Sequence, residues 1–158
     1  MKIKFKTGVS ALTPLVLLLS CLGTAQAQVK VNDAWVRATV AQQKTTGAFM
    51  QITAAQDSRL VEVRSPAAAT VELHQMEMKD QVMKMRAVGS LDLPAGKLIE
   101  LKPGGYHVML IDLKAQVKDG DMIPITLVIE NKNRKRETLE IKALAKPLNQ
   151  SSSSAMQH

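Results

Sequence analysis

The sequence predicts an all-β chain, an antiparallel β-sandwich of Greek-key type, and three observations carry that prediction. Apolar residues recur at every second position through most of the chain, as in Ile123, Ile125, Leu127 and Ile129 or Leu139, Ile141 and Ala143. Turn-forming pairs and triplets separate these runs at short, regular intervals. After the first 27 residues no stretch repeats with the 3.6-residue period of a helix. Many short strands in one unit of about 120 residues favour a sandwich over a layered α/β fold.

Residues 1–27 read as a signal peptide rather than as part of the fold. Lys2, Lys4 and Lys6 form a basic n-region, Val9 to Leu22 an apolar h-region, and Ala25-Gln26-Ala27 a small-x-small cleavage site. Cleavage after Ala27 leaves a chain that starts at Gln28, and the apolar run is shorter than the ~20 residues a spanning helix needs. No second such run follows, so no stable membrane insertion of the exported chain is expected. Leu18-Leu19-Ser20-Cys21 is the competing reading, a lipoprotein site with Cys21 acylated, but Leu19 makes it a poor match.

The domain itself is read as residues 28–147. Strands are expected at Val29 to Val40, Thr45 to Ala54, Leu60 to Arg64, Thr70 to Met78, Val82 to Val88, Lys97 to Leu101 and His107 to Leu113, then at the two alternating runs around Ile125 and Ile141, about nine in all. Ser65-Pro66, Leu93-Pro94-Ala95-Gly96, Pro103-Gly104-Gly105, Lys118-Asp119-Gly120 and Asn131-Lys132-Asn133 supply the turns. Lys132, Arg134, Lys135 and Arg136 fall at the last hairpin and read as a solvated turn that blunts a sheet edge. Residues 148–158 are almost wholly polar and are expected to be a disordered tail.

Composition narrows the function classes. Aromatics make up only 3% of the 158 residues, leaving a base-stacking nucleic-acid platform almost nothing to stack on, and no nucleic-acid partner is expected. A single cysteine forms neither an internal disulfide nor a multi-thiolate metal site. The leader takes that cysteine and three lysines with it, so the net charge falls from +7 to +4. Without a cysteine, blue-copper electron transfer is excluded.

Sulfur here means methionine. Met76, Met78, Met83, Met85 and Met109 cluster with His74 and His107 in one short segment. Residues two apart on a strand share a face, so His74, Met76 and Met78 project together, as do Met83 with Met85 and His107 with Met109. A hairpin turn centred on Lys79-Asp80 predicts His74 opposite Met85 and Met76 opposite Met83, with opposed Cβ atoms ~5 Å apart. His107 and Met109 complete a four-ligand set if their strand runs beside that hairpin. Two imidazoles and two neutral thioethers suit Cu(I) better than Zn(II) or the hard ions Ca(II) and Mg(II). Met76, Met78 and Met83 are candidates for transfer ligands, and Met156 and His158 for a weak auxiliary site. Met50, Met122, Trp35 and Phe49 read as core.

His74, ten intervening residues, Met85, twenty-one intervening residues and His107-Val108-Met109 reproduce the H-x10-M-x21-H-x-M signature of the periplasmic CuA chaperone family, PCuAC, which the chain resembles from Val29 to Ala145. The resemblance implies a cupredoxin-like sandwich that binds one Cu(I) through His74, Met85, His107 and Met109 at an exposed edge. It further implies a non-enzymatic carrier in the periplasm, expected as a monomer, that serves the CuA centre of cytochrome c oxidase subunit II alongside a Sco-type protein. A periplasmic copper storage or resistance protein would use the same ligands.

Overall fold

The computed structural model describes residues 29–147, so the leader, Cys21, the tail and its Met156 and His158 lie outside the described residues. Ten strands follow in order: β1 (Val29–Arg37), β2 (Thr45–Ala54), β3 (Ser58–Arg64), β4 (Ala68–Lys79), β5 (Val82–Ala87), β6 (Leu91–Leu93), β7 (Leu98–Leu101), β8 (Tyr106–Leu113), β9 (Met122–Asn131) and β10 (Arg136–Lys146). The strand that the sequence reading missed is β6, whose three residues are too few to show a period.

Hydrogen bonding links the strands in the order β5-β4-β8-β2-β1-β10-β9-β3-β6, with β7 paired to the second half of β2. The chain passes repeatedly between the two halves of this ladder, as in β2 to β3, β3 to β4 and β8 to β9, which is the Greek-key habit. Strand pairing is antiparallel except between β1 and β10, which run parallel. Alternation explains the core. Ala48, Met50 and Ile52 of β2, Val108 and Leu110 of β8, and Ile123, Ile125, Leu127 and Ile129 of β9 all turn inward. Burying each large aliphatic side chain is worth about 1.5–3 kcal/mol.

Bulges adjust that alternation. Between Asn32 and Trp35 the register of β1 against β2 slips by one residue, with Asp33 at φ 49°. Val31 and Val36 both face inward as a result, and Trp35 is thrown to the outer face opposite Phe49. Trp35 is therefore half-buried on the outside, and Phe49, though covered, lies outside the main core cluster. A second slip between Leu60 and Glu62 lets Leu60 and Val63 both point inward.

Met50 is core as expected, whereas Met122 is exposed at the start of β9. The basic run Lys132 to Arg136 is a solvated turn, with Lys132 Nζ 2.7 Å from Asp57 and Arg136 Nε 3.0 Å from Glu130. It blunts no edge, because β9 and β10 are both interior to the ladder. No helix among the described residues is long and apolar enough to cross a membrane.

Candidate metal centre

Two local features aim the histidines. Leu73 on β4 and Val108 and Leu110 on β8 are committed to the core, so strand alternation turns His74, Met76, His107 and Met109 outward. β4 and β8 are antiparallel neighbours in a register that sets His74 directly opposite His107, their ring centroids 5.9 Å apart and edge-on. The later strand thus runs beside the hairpin, as the four-ligand set requires.

The hairpin register differs from the expectation. Asp80 and Gln81 form the turn, both left-handed at φ 53° and 62°, so Met76 lies opposite Met85, Met78 opposite Met83 and His74 opposite Ala87. Such a two-residue turn matches the twist of the strands, and aspartate enters its first position more readily than lysine. The slip is two residues, an even number, so every side chain keeps its predicted face.

The Pro103-Gly104-Gly105 turn prepares His107. Gly104 takes φ 81°, which glycine accepts without a Cβ penalty, and the Gly105 amide donates to the Lys102 carbonyl at 3.0 Å. The Gly105 carbonyl then accepts from the Met76 amide at 3.1 Å and from His107 Nδ1 at 3.0 Å. A proton on Nδ1 leaves Nε2 with its lone pair, a tautomer assigned from this hydrogen-bond network. That Nε2 sits 3.2 Å from Met85 Sδ. Two lone-pair donors converge with no proton between them. With metal–nitrogen bonds of about 2.0 Å and metal–sulfur bonds of about 2.3 Å, two tetrahedral ligands stand about 3.5 Å apart, close to what is found.

His74 is held differently. Its Nε2 donates to Glu72 Oε2 at 2.7 Å, from the same face of β4, and its Nδ1 is buried with no hydrogen-bond partner. An orphaned buried acceptor on a ring fixed by a carboxylate is the second-shell pattern of metal-bound histidine. Met85, His107 and Met109 line an open cleft of about 370 Å³, with Met76, Phe49, Gly47 and Arg37 among its other walls, and His74 packs at the side of His107. His107 is buried and Met85 half-exposed, so the donors run from sheltered to open. Among the described residues no group of three or more His, Cys, Asp and Glu side chains gathers in metal-binding geometry, so the two histidines need methionine to complete the candidate donor set.

Several residues of this site escaped the sequence reading. Glu72 was legible from its spacing two before His74, and Gly105 from its glycine turn. Phe49 and Arg37 were not, because only the β1–β2–β8 pairing brings them here. The Phe49 ring lies over Gly47, where a Cβ would meet its Cζ at 2.9 Å. Arg37 Cζ stands 5.7 Å from the Phe49 centroid, and Trp35 packs on the ring at 4.4 Å.

The family model described as "Putative lipoprotein LpqE-like" matches residues 29–141. The chain belongs to the LpqE-like family. It is 36% identical over 102 residues to "Putative lipoprotein Lxx21020" of Leifsonia xyli subsp. xyli, covering 63% of this chain and 60% of that one. It is 30% identical over 117 residues to "Uncharacterized protein RP573" of Rickettsia prowazekii, covering 70% and 65%. The chain thus spans somewhat less than two thirds of these relatives.

Among solved structures, apo-DR1885 from Deinococcus radiodurans is 27% identical, covering 96% of this chain and 97% of that one with a TM-score of 0.59. The Cu(I) form of DR1885 is 32% identical, covering 72% and 74%, with a TM-score of 0.54. A copper-bound PCuAC domain from PmoF2 shares the fold at 23% identity, covering 78% and 97%, with a TM-score of 0.60. The architecture of this LpqE-like chain is therefore the cupredoxin-like β fold of PCuAC domains.

Proposed function

We propose that this chain is a copper(I) carrier of the PCuAC type working in the periplasm, a binding module rather than an enzyme. It holds one cuprous ion through His74, Met85, His107 and Met109 and surrenders it for assembly of the CuA centre of cytochrome c oxidase subunit II, alongside a Sco-type protein. The observation that carries this reading is the approach of His107 Nε2 to Met85 Sδ at 3.2 Å in an open cleft, with the second histidine directly across the ladder. The Cu(I) structure of DR1885, 32% identical, supports it. Export is supported by the basic and apolar leader and by the lipoprotein names of the family and of the Leifsonia relative.

The ion here is cargo. Soft neutral thioethers hold Cu(I) without cancelling its charge, and the half-exposed Met85 leaves one of the four ligands open to exchange. Competition for Cu(I) against a chromophoric chelator tests the site: the parent retains one ion, and Met85→Ala and His107→Ala lose it to the chelator. Equal retention by the variants refutes the assignment. Mixing loaded protein with an apo CuA domain then tests delivery. The absorption bands of the assembled centre are expected, and their absence favours sequestration.

A further inference from the structure

We propose that the β4–β5 hairpin carries a second soft-metal site made only of thioethers, Met78 and Met83 at its tip with Met76 and Met85 one cross-strand pair inward. The proposal rests on the cleft being the cuprous site, because Met85 belongs to both.

The register makes the case. Met78 faces Met83 and Met76 faces Met85, so four thioethers share one side of a two-stranded ribbon. The pair that flanks a two-residue turn is hydrogen-bonded, and the Val88 amide donating to the Leu73 carbonyl at 2.8 Å continues the same phase. Both methionine pairs therefore fall at non-hydrogen-bonded positions, where opposed Cα atoms are only about 4.5 Å apart and side chains approach most closely. The other side of the ribbon is polar, with Gln75, Glu77, Lys84 and Arg86 and an Arg86–Glu77 contact at 3.3 Å.

Packing does not explain these methionines. Met50 shows what a core methionine does here, at 2% exposure, whereas Met78, Met83 and Met85 are 63%, 45% and 50% exposed. Exposed apolar side chains gain nothing from burial, but thioethers in water remain available to a soft monovalent ion. From the tip the path is continuous, through Met76 and Met85 to His107 Nε2. At each step one metal–ligand bond forms before another breaks, metal–sulfur along the hairpin and metal–nitrogen at His107. The ion stays +1, and no proton or electron changes hands. The tip is thus where an ion enters and leaves, which spares an acceptor from reaching the buried His107.

Silver(I), a redox-inert soft ion, is the probe. Mature protein with 13C-labelled methionine methyls is titrated by NMR. The first equivalent is expected to shift Met85 and Met109, and the second Met78 and Met83. Met122, exposed on β9 opposite Leu144, is the internal control and stays still through both steps. A Met78→Leu/Met83→Leu double variant keeps the first step and loses the second. If Met78 and Met83 move only when Met122 moves, or if the second equivalent shifts Met156 and leaves Met78 and Met83 still, the second site does not exist. Shifts of Met85 and Met109 with Met78 and Met83 still would sink the tip site alone, whereas shifts of Met78 and Met83 with Met85 and Met109 still would sink the cleft assignment and with it the shared site proposed here.

Discussion

Glu72 offers a quantitative test of how His74 is presented. Its Oε2 lies 2.7 Å from His74 Nε2, so in the proposed centre the nitrogen that meets the ion is the opposite one, the orphaned Nδ1. Adding the width of the ring and a metal–nitrogen bond of about 2.0 Å puts the carboxylate roughly 6–7 Å from the bound charge. Coulomb's law at that distance gives about 0.6 kcal/mol in bulk water and about 2.5 kcal/mol at an effective dielectric of 20. The Glu72 side chain is 43% exposed, which favours the middle of that range, about 1.4 kcal/mol or a tenfold change in affinity. Glu72→Gln removes the charge and keeps an acceptor, so it should weaken Cu(I) binding about tenfold. Glu72→Leu also frees the ring and should approach the 100-fold loss typical of a missing second-shell partner. Both are measured by competition with a Cu(I) chelator while the fold is followed by circular dichroism. Parent-like affinity in both variants would refute the proposed presentation of His74.

Other consequences are separately testable. Asp80→Asn with Gln81→Gly places the residues this turn prefers where φ is 53° and 62°, and thermal unfolding should show a gain of about 1 kcal/mol. Lys132 and the Ala95 amide hold the Asp57 carboxyl below its ordinary range, with Lys132 contributing most. A depressed folded value means that this contribution is present above the unfolded carboxylate value and is lost as pH falls through the folded one. Asp57→Asn should therefore be the less stable protein near neutrality, and the gap should close in acid, as read from denaturant unfolding at several pH values. Mass spectrometry of the exported protein should find an amino terminus at Gln28, and an acylated Cys21 would replace the soluble carrier with a tethered one.

The sequence made the strands legible where one face is buried over many residues. The alternation of β9 and β10 placed both, and β2 was located residue for residue from Thr45 to Ala54. Bulges were invisible, because the one-residue slips at Asp33 and Val61 depend on a partner strand, and Trp35 was consequently assigned to the core. The shared faces of His74 with Met76, of Met83 with Met85 and of His107 with Met109 were legible from strand spacing, and they survived an error of two residues in the hairpin register because side-chain direction repeats every second residue. What spacing does not encode is the long-range neighbourhood. Phe49 on Gly47 and Arg37 above them reach the cleft only through β1 and β2, and the carbonyl that orients His107 is a product of turn geometry.

X-ray absorption at the copper edge, on mature protein loaded with one equivalent of Cu(I), tests the metal centre most directly. It should show nitrogen scatterers at about 2.0 Å and two sulfurs at about 2.3 Å, with a sulfur lost in Met85→Leu. A shell of nitrogen and oxygen alone, or a spectrum unchanged by that substitution, would contradict it.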